Sequence, residues 1–282
     1  MWTQADRATY EQCGTGLPSD LTDAQWGHLE RLIPAARPGG RPRKTDMRAA
    51  MNAIFYLLRT GCPWRYLPRG AFPPRSTVYN IFRQFQRDGV WERIWEELHI
   101  ALREALGREA SPTAAILDSQ SLKAAEKGEP RAGVKRTQLG YDAGKKVKGR
   151  KVHALVDVEG LPLRVIVHSA GIQDRDGAAL VLDKIRKRFP WLELVWADSG
   201  YNAHQVKDAV ATSPELRLQI VKRSDNTKGF VVLPRRWVVE RTFSWFGRNR
   251  RLAKDYENLA DTLAAFVTLA AIQFGIRRLA RP

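Results

Sequence analysis

The hydrophobic period changes at Ser111, and no other feature constrains the fold as tightly. Upstream, apolar residues recur every three to four positions: Trp26, Leu29, Leu32 and Ile33, then Met47, Met51, Ile54, Phe55 and Leu58, then Val78, Ile81, Phe82 and Phe85. A further stretch of this kind covers 90–106. That spacing places apolar side chains along one face of a helix. Thr22 and Ser76 stand where N-caps belong, and Pro34 and Gly61 where helices stop. Downstream, short strand-like runs occur at 114–118, 152–157, 163–168, 192–198 and 216–221, with Glu159-Gly160 suited to a hairpin turn. Helices are expected at 176–189, at 204–211 and from Pro234, a proline suited to a first turn. The order β-β-β-α-β-α-β-α predicts a mixed sheet flanked by helices, an α/β (α+β) fold. The expected organisation is a disordered leader over 1–16, an all-α domain over 17–110 and a mixed domain over 111–282.

Charge narrows the partners. The 282 residues carry a formal net charge of +17, which favours a polyanion. Most of the surplus sits in two runs. Residues 131–151 hold eight Lys/Arg against Asp142 alone, and residues 222–254 hold ten against Asp225 and Glu240. Cys13 and Cys62 form no CxxC pair, which argues against structural zinc or a disulfide framework and fits a reducing cytosol. MWTQADRATYEQ has no apolar h-region, so no signal peptide is expected. The apolar stretch 259–276 is interrupted by Asp261, Thr262 and Gln273, and reads as a core helix rather than a membrane span.

Three acids close or follow the elements of the mixed segment. Asp118 ends the first strand-like run, Asp198 ends the fourth, and Glu240 lies on the helix from Pro234. If the first and fourth strands are adjacent and parallel, both aspartates emerge at one sheet edge, where Glu240 can approach from the flank. Hard divalent cations take carboxylate oxygens, and a pair of them activates an attacking oxygen and neutralises charge at phosphorus. Each acid also has a plain role open to it. Asp118 or Asp198 would serve as a cap or turn residue, and Glu240 as a surface partner of Arg236 or Arg241. Asp157 suits the turn at Glu159-Gly160, Asp174 and Asp176 suit a helix cap, and His153 and His168 suit structural roles within strands.

The segments around these acids resemble the insertion-sequence transposases of the DDE superfamily, in the group of insertion sequence five. The resemblance rests on Ile116-Leu117-Asp118-Ser119-Gln120-Ser121, on residues 140–151 (GYDAGKKVKGRK), on Ala197-Asp198-Ser199-Gly200-Tyr201 and on Arg236-Trp237-Val238-Val239-Glu240-Arg241. Residues 21–26 and 60–65 resemble the same group's leader domain, so the likeness runs through nearly everything from residue 20 onward. It implies a ribonuclease-H-like catalytic core in which Asp118, Asp198 and Glu240 ligate two Mg²⁺ ions, with Mn²⁺ able to substitute. Arg236 would be the arginine of the signature around the third acid, whose tyrosine and lysine this chain lacks; position 247 is Gly.

The reading that follows is a bacterial, cytoplasmic, nucleoid-associated enzyme with an N-terminal helix-turn-helix-like domain. It would cleave element ends and join them to target DNA directly, working on terminal inverted repeats as a homodimer and away from membranes. The expected phosphate contacts are Lys145, Lys146, Lys148, Arg150 and Lys151, then Arg236, Arg241, Arg248, Arg250, Arg251 and Lys254. Arg75 and Arg83, with Ser76, Thr77, Tyr79 and Asn80, are expected to read the ends. Trp237 and Trp245 are candidates for base stacking, with a core role as the plainer assignment. Two other functions fit the same residues: a catalytically inert DNA-binding regulator, and a nuclease that cleaves without joining.

Overall fold

The computed structural model describes residues 14–36, 39, 43–125, 139–211, 215–221 and 236–281. The helix start expected at Pro234 and most of the expected leader lie outside them, as do Arg131, Lys135, Arg136, Lys222, Arg223 and Lys228 of the basic runs. The chain divides into two compact units.

The first unit comprises 1–108, 249–252 and 268–282. Its helices are α1 (Asp23–Glu30), α2 (Met47–Thr60), α3 (Arg75–Arg87) and α4 (Val90–Ala105). Thr22 caps α1 through a reciprocal box with Gln25. Asp46 caps α2, and Gly61 ends it in the left-handed conformation at φ 70°. Ser76 does not cap α3, because that helix starts a residue earlier, with Pro74 before it. Phe82 and Phe85 pack against Trp91 in the interior, with ring centroids 6.2 and 5.0 Å from its own.

The expectation that everything after residue 110 belongs to the second domain needs correction. The C-terminal half of the last helix packs in the first unit, where a Cβ on Gly275 would lie 3.1 Å from Leu102 and 3.2 Å from Trp95. Arg251 donates to the Cys62 carbonyl at 3.0 Å, which fixes the short segment 249–252 there as well.

The second unit, 109–248 with 253–267, holds one six-stranded sheet. Its strands are β1 (Ala114–Lys123), β2 (Gly140–Asp142), β3 (Val147–Asp157), β4 (Pro162–Ser169), β5 (Leu194–Ala197) and β6 (Arg217–Ile220). β3 pairs antiparallel with β1, β2 and β4, while β5 lies parallel to both β1 and β6. The long strands therefore run in the order β4-β3-β1-β5-β6, and β2 extends the β3 edge beyond β4. This mixed order, three antiparallel strands followed by two parallel ones, is the ribonuclease-H-like arrangement. Ala115, Leu117, Leu155 and Val195 face α5 (Asp174–Leu182) and α7 (His204–Ala211) in a buried cluster. A short α6 (Ile185–Arg188) follows α5 after a break at Lys184, whose φ of 53° ends the single helix expected over 176–189.

Helix α8 (Trp237–Gly247) packs on β1 and β3. Thr242 and Arg241 tie it to the β3–β4 turn through the carbonyls of Gly160 and Glu159. The last helix, α9 (Ala260–Leu279), is long and apolar enough to cross a bilayer, yet its most apolar window is 67% buried in the protein.

Candidate active site

Strand register places the first two acids. β1 and β5 pair in parallel through Ile116 and Trp196, so Asp118 and Asp198, each two residues further along the chain, lie side by side. β1 does not end at its aspartate, as its apolar run suggests, but continues to Lys123 along β3, with Asp118 opposite Ala154. What ends near Asp118 is β5, and that exposes a rim. Side chains alternate along a strand, so Asp118 turns toward α8 while Ser119 turns toward α5.

Helix α8 supplies the third acid. Glu240 lies one turn after Arg236, whose Nη2 is 3.9 Å from Asp118 Oδ2, 3.5 Å from Asp198 Oδ2 and 3.7 Å from Glu240 Oε1. Three carboxylates distant in sequence thus converge on a single nitrogen. The plain roles hold at the same time, since Asp198 Oδ1 caps the following turn by accepting from the Gly200 amide at 2.8 Å. Burial pushes the pKa of Asp118 up to about 6, with Asp198 adding to the rise; the Ser119 amide, Arg236 and Lys145 pull the other way.

The donor set suits a hard divalent cation. It is all carboxylate oxygen, it is partly withdrawn from water, and one oxygen of each acid faces the common point. Among the described residues no group of three or more His, Cys, Asp or Glu closes on a metal position as it stands. The acids are spread around the Arg236 guanidinium, which occupies their junction.

Behind β1 lies a second polar group that the sequence did not disclose. Asp174 accepts from Ser119 Oγ at 2.8 Å and pairs with Lys151 Nζ at 2.8 Å. Lys151 also lies 3.3 Å from Asp142 Oδ2, which accepts from Ser121 Oγ at 2.6 Å. Burial works to raise the pKa of Asp174, but the neighbouring His153, Lys151 and Ser119 side chains prevail and hold it far below the usual carboxylate range. Asp174 is therefore a network centre rather than the expected helix cap; Gln173 occupies the cap position. His153 and His168 pack at a tilt with ring centroids 4.8 Å apart, and burial lowers both pKa values. They are structural groups, as is Asp157, which accepts from the Glu159 and Leu161 amides in its turn.

The basic runs divide by burial. Lys145, Lys146, Lys148, Arg248, Arg250 and Lys254 are exposed. Three expected DNA contacts are instead internal. Arg150 is fully buried against Asp255 at 2.6 Å, Lys151 is 3% exposed within the Asp142–Asp174 network, and Arg251 is 6% exposed. An ammonium or guanidinium so enclosed is satisfied by protein oxygens and cannot reach a phosphate. Arg236 is engaged by the acids, and Arg241 is half-buried between Trp237 and Trp245, with ring centroids at 4.4 and 4.7 Å. The two tryptophans thus hold a cation between them, and Trp237 remains 42% exposed. In the helical unit, α3 exposes Arg75, Ser76, Tyr79 and Asn80, with Arg83 half-buried and bonded to Gln86. Arg75 also lines a groove of about 600 Å³ with Arg65, Arg69, Phe72 and Pro74.

Comparison with known proteins adds family. Residues 109–274, more than half of the chain, match the family model described as "Transposase DDE domain". Residues 21–95 match the one described as "Putative transposase of IS4/5 family". An "Insertion element IS402 uncharacterized 16.2 kDa protein" of Burkholderia cepacia is 31% identical over 39% of this chain and 76% of its own length. A "Putative transposase for insertion sequence element IS402" from the same species is 30% identical over 43% of this chain, and the match spans only 60% of that relative. A solved pre-cleavage Mos1 transpososome aligns over 88% of this chain and 79% of its own at 10% identity, with a TM-score of 0.29. The fold assignment rests on the sheet order instead.

Proposed function

Because the chain belongs to the Transposase DDE domain family, we propose that it cleaves DNA at the ends of its insertion sequence and joins the freed 3′-hydroxyl to target DNA. Transposases of this family act on DNA with divalent metal, and the finer reading is two Mg²⁺ ions with Mn²⁺ as a substitute. The observation that carries it is the convergence of Asp118, Asp198 and Glu240 on one nitrogen within 3.9 Å. When bound, such ions would activate the attacking oxygen and neutralise charge at the phosphorus.

The chain's own contribution is placement. β1 and β5 hold Asp118 and Asp198 in a fixed register, and α8 brings Glu240 and Arg236 to the same rim. The buried wall behind Asp118 excludes water from one side of the carboxylates. The exposed cations Lys146, Lys148, Arg248 and Lys254 belong to the same unit and suit the DNA backbone. The exposed face of α3 suits recognition of terminal repeats, and a homodimer on paired ends in the bacterial cytoplasm completes the reading.

The test is strand transfer with Mg²⁺ on the element's own termini, comparing wild type with Asp118→Asn, Asp198→Asn and Glu240→Gln. Each variant is expected to retain end binding and to lose roughly 10²–10³-fold or more in cleavage, the scale of removing a key charge-stabilising group. Full activity in all three would remove the mechanism. Cleavage without joined products would point to a nuclease, and neither product to a regulator.

A further inference from the structure

In sequence, Lys145 is one of several lysines in a glycine-rich run, but its placement differs from that of its neighbours. It lies in the turn between β2 and β3, where its backbone N–H donates to Asp142 Oδ1 at 3.0 Å. Asp142 is itself buried and held by Ser121 and Lys151. The next residue, Lys146, adopts φ 53°, a left-handed conformation that a non-glycine residue adopts only at some cost. Just before this kink the Lys145 side chain reaches back to β1. Its Nζ donates to the Ser119 carbonyl at 3.0 Å and to Ser119 Oγ at 3.3 Å. Ser119 is fixed in turn by donating to Asp174. The ammonium is thereby held against the backbone one residue from Asp118, near enough for its charge to pull that carboxyl's pKa down. An ammonium has three donors, and two are engaged among the described residues. The residue is exposed, so the third can face a ligand.

We propose that Lys145 is a catalytic residue whose ammonium binds a non-bridging oxygen of the scissile phosphate beside Asp118. The assignment rests on the transposase reading above and adds to it the group that fixes the reacting phosphate. Asp142, Ser119 and Asp174 are then positioning residues, acting through Lys145. Lys146 and Lys148 are exposed and show no such anchorage among the described residues, so they serve as ordinary backbone contacts.

The experiment is a double-substitution cycle on the full chain. Wild-type cleavage with Mg²⁺ first maps the scissile position on duplex carrying the terminal repeat. Affinity is then measured in EDTA for that duplex and for one with a neutral methylphosphonate at the mapped position. Wild type is expected to bind the neutral duplex about tenfold more weakly, the scale of one charge-assisted hydrogen bond. Lys145→Ala is expected to bind the unmodified duplex about tenfold more weakly and to change less than twofold on neutralisation. Lys146→Ala should respond to the methylphosphonate as wild type does, and Lys145→Arg should recover part of the response. Equal responses in wild type and Lys145→Ala would overturn the assignment while leaving the transposase reading in place. A wild type that does not cut with Mg²⁺ would bring down both.

Discussion

Replacing Arg150 with Met separates the burial reading of the basic run from the DNA-contact reading. The guanidinium has no solvent exposure, and neither does the Asp255 carboxylate 2.6 Å away. Arg150 also donates to the carbonyls of Glu257 and Asn258, both at 2.9 Å. Segment 253–258 is thus tied to the end of β1, where Asp255 donates its amide to Lys123 and accepts from Ala125. Met fills similar space but supplies no charge and no donor. Breaking a buried ion pair from one side costs about 3–5 kcal/mol, a range that already contains most of the loss from the two carbonyls. At about 2–4 °C per kcal/mol for a unit of this size, a loss of ~4 kcal/mol lowers Tm by roughly 8–16 °C.

The matched control is Lys148→Met, on the same strand but exposed, which should change stability by less than about 0.5 kcal/mol. DNA affinity measured against salt gives the opposite ranking. Lys148→Met should lower the slope of log K against log salt by about one, and Arg150→Met should leave it unchanged at a temperature where it is folded. The double variant Arg150→Met/Asp255→Leu should recover much of the lost stability, because no unpaired charge remains. An Arg150→Met protein as stable as wild type, but with a reduced salt slope, would refute the reasoning.

Three further outcomes follow from the site and the wall behind it. Arg236→Ala removes the cation at the carboxylate junction, so the protein should melt lower in EDTA yet bind Mn²⁺ about tenfold more tightly, ~1.4 kcal/mol, by metal-dependent shift of Tm; weaker Mn²⁺ binding would count against competition for the acids. Asp174 has a depressed pKa in the folded state, so its stabilisation is present above the unfolded value near 3.9 and is lost as pH falls toward the folded one. Urea midpoints of Asp174→Asn should therefore lie below wild type at pH 7 and approach it below about pH 4, and a gap constant with pH would contradict the network. Gly177→Ala in α5 would gain helix propensity, but its Cβ would fall 2.5 Å from His153 Cε1 and 2.6 Å from His168 Nε2. A net loss of about 1–3 kcal/mol is expected in thermal melts, with recovery on adding His168→Ala; a stabilised single variant would show that the imidazole pair yields.

Local and periodic features are legible directly in the order of residues. Helical spacing and the Thr22 and Gly61 signals placed α1 and α2, because capping and left-handed turns are settled by a few neighbouring residues. The two aspartates were legible because a buried strand has little reason to meet a carboxylate unless the chain reaches a rim there. Tertiary structure alone decided which cations face solvent. Lys148, Arg150 and Lys151 read alike in one basic run, yet Lys148 is exposed while Arg150 meets Asp255 and Lys151 meets Asp174. Those partners arrive from 105 and 23 residues away and supply the opposite charge that makes burial of a cation tolerable. Strand alternation likewise separates Asp118 from Ser119, and only the packed helices on either side turn one toward the acids and the other toward the buried network.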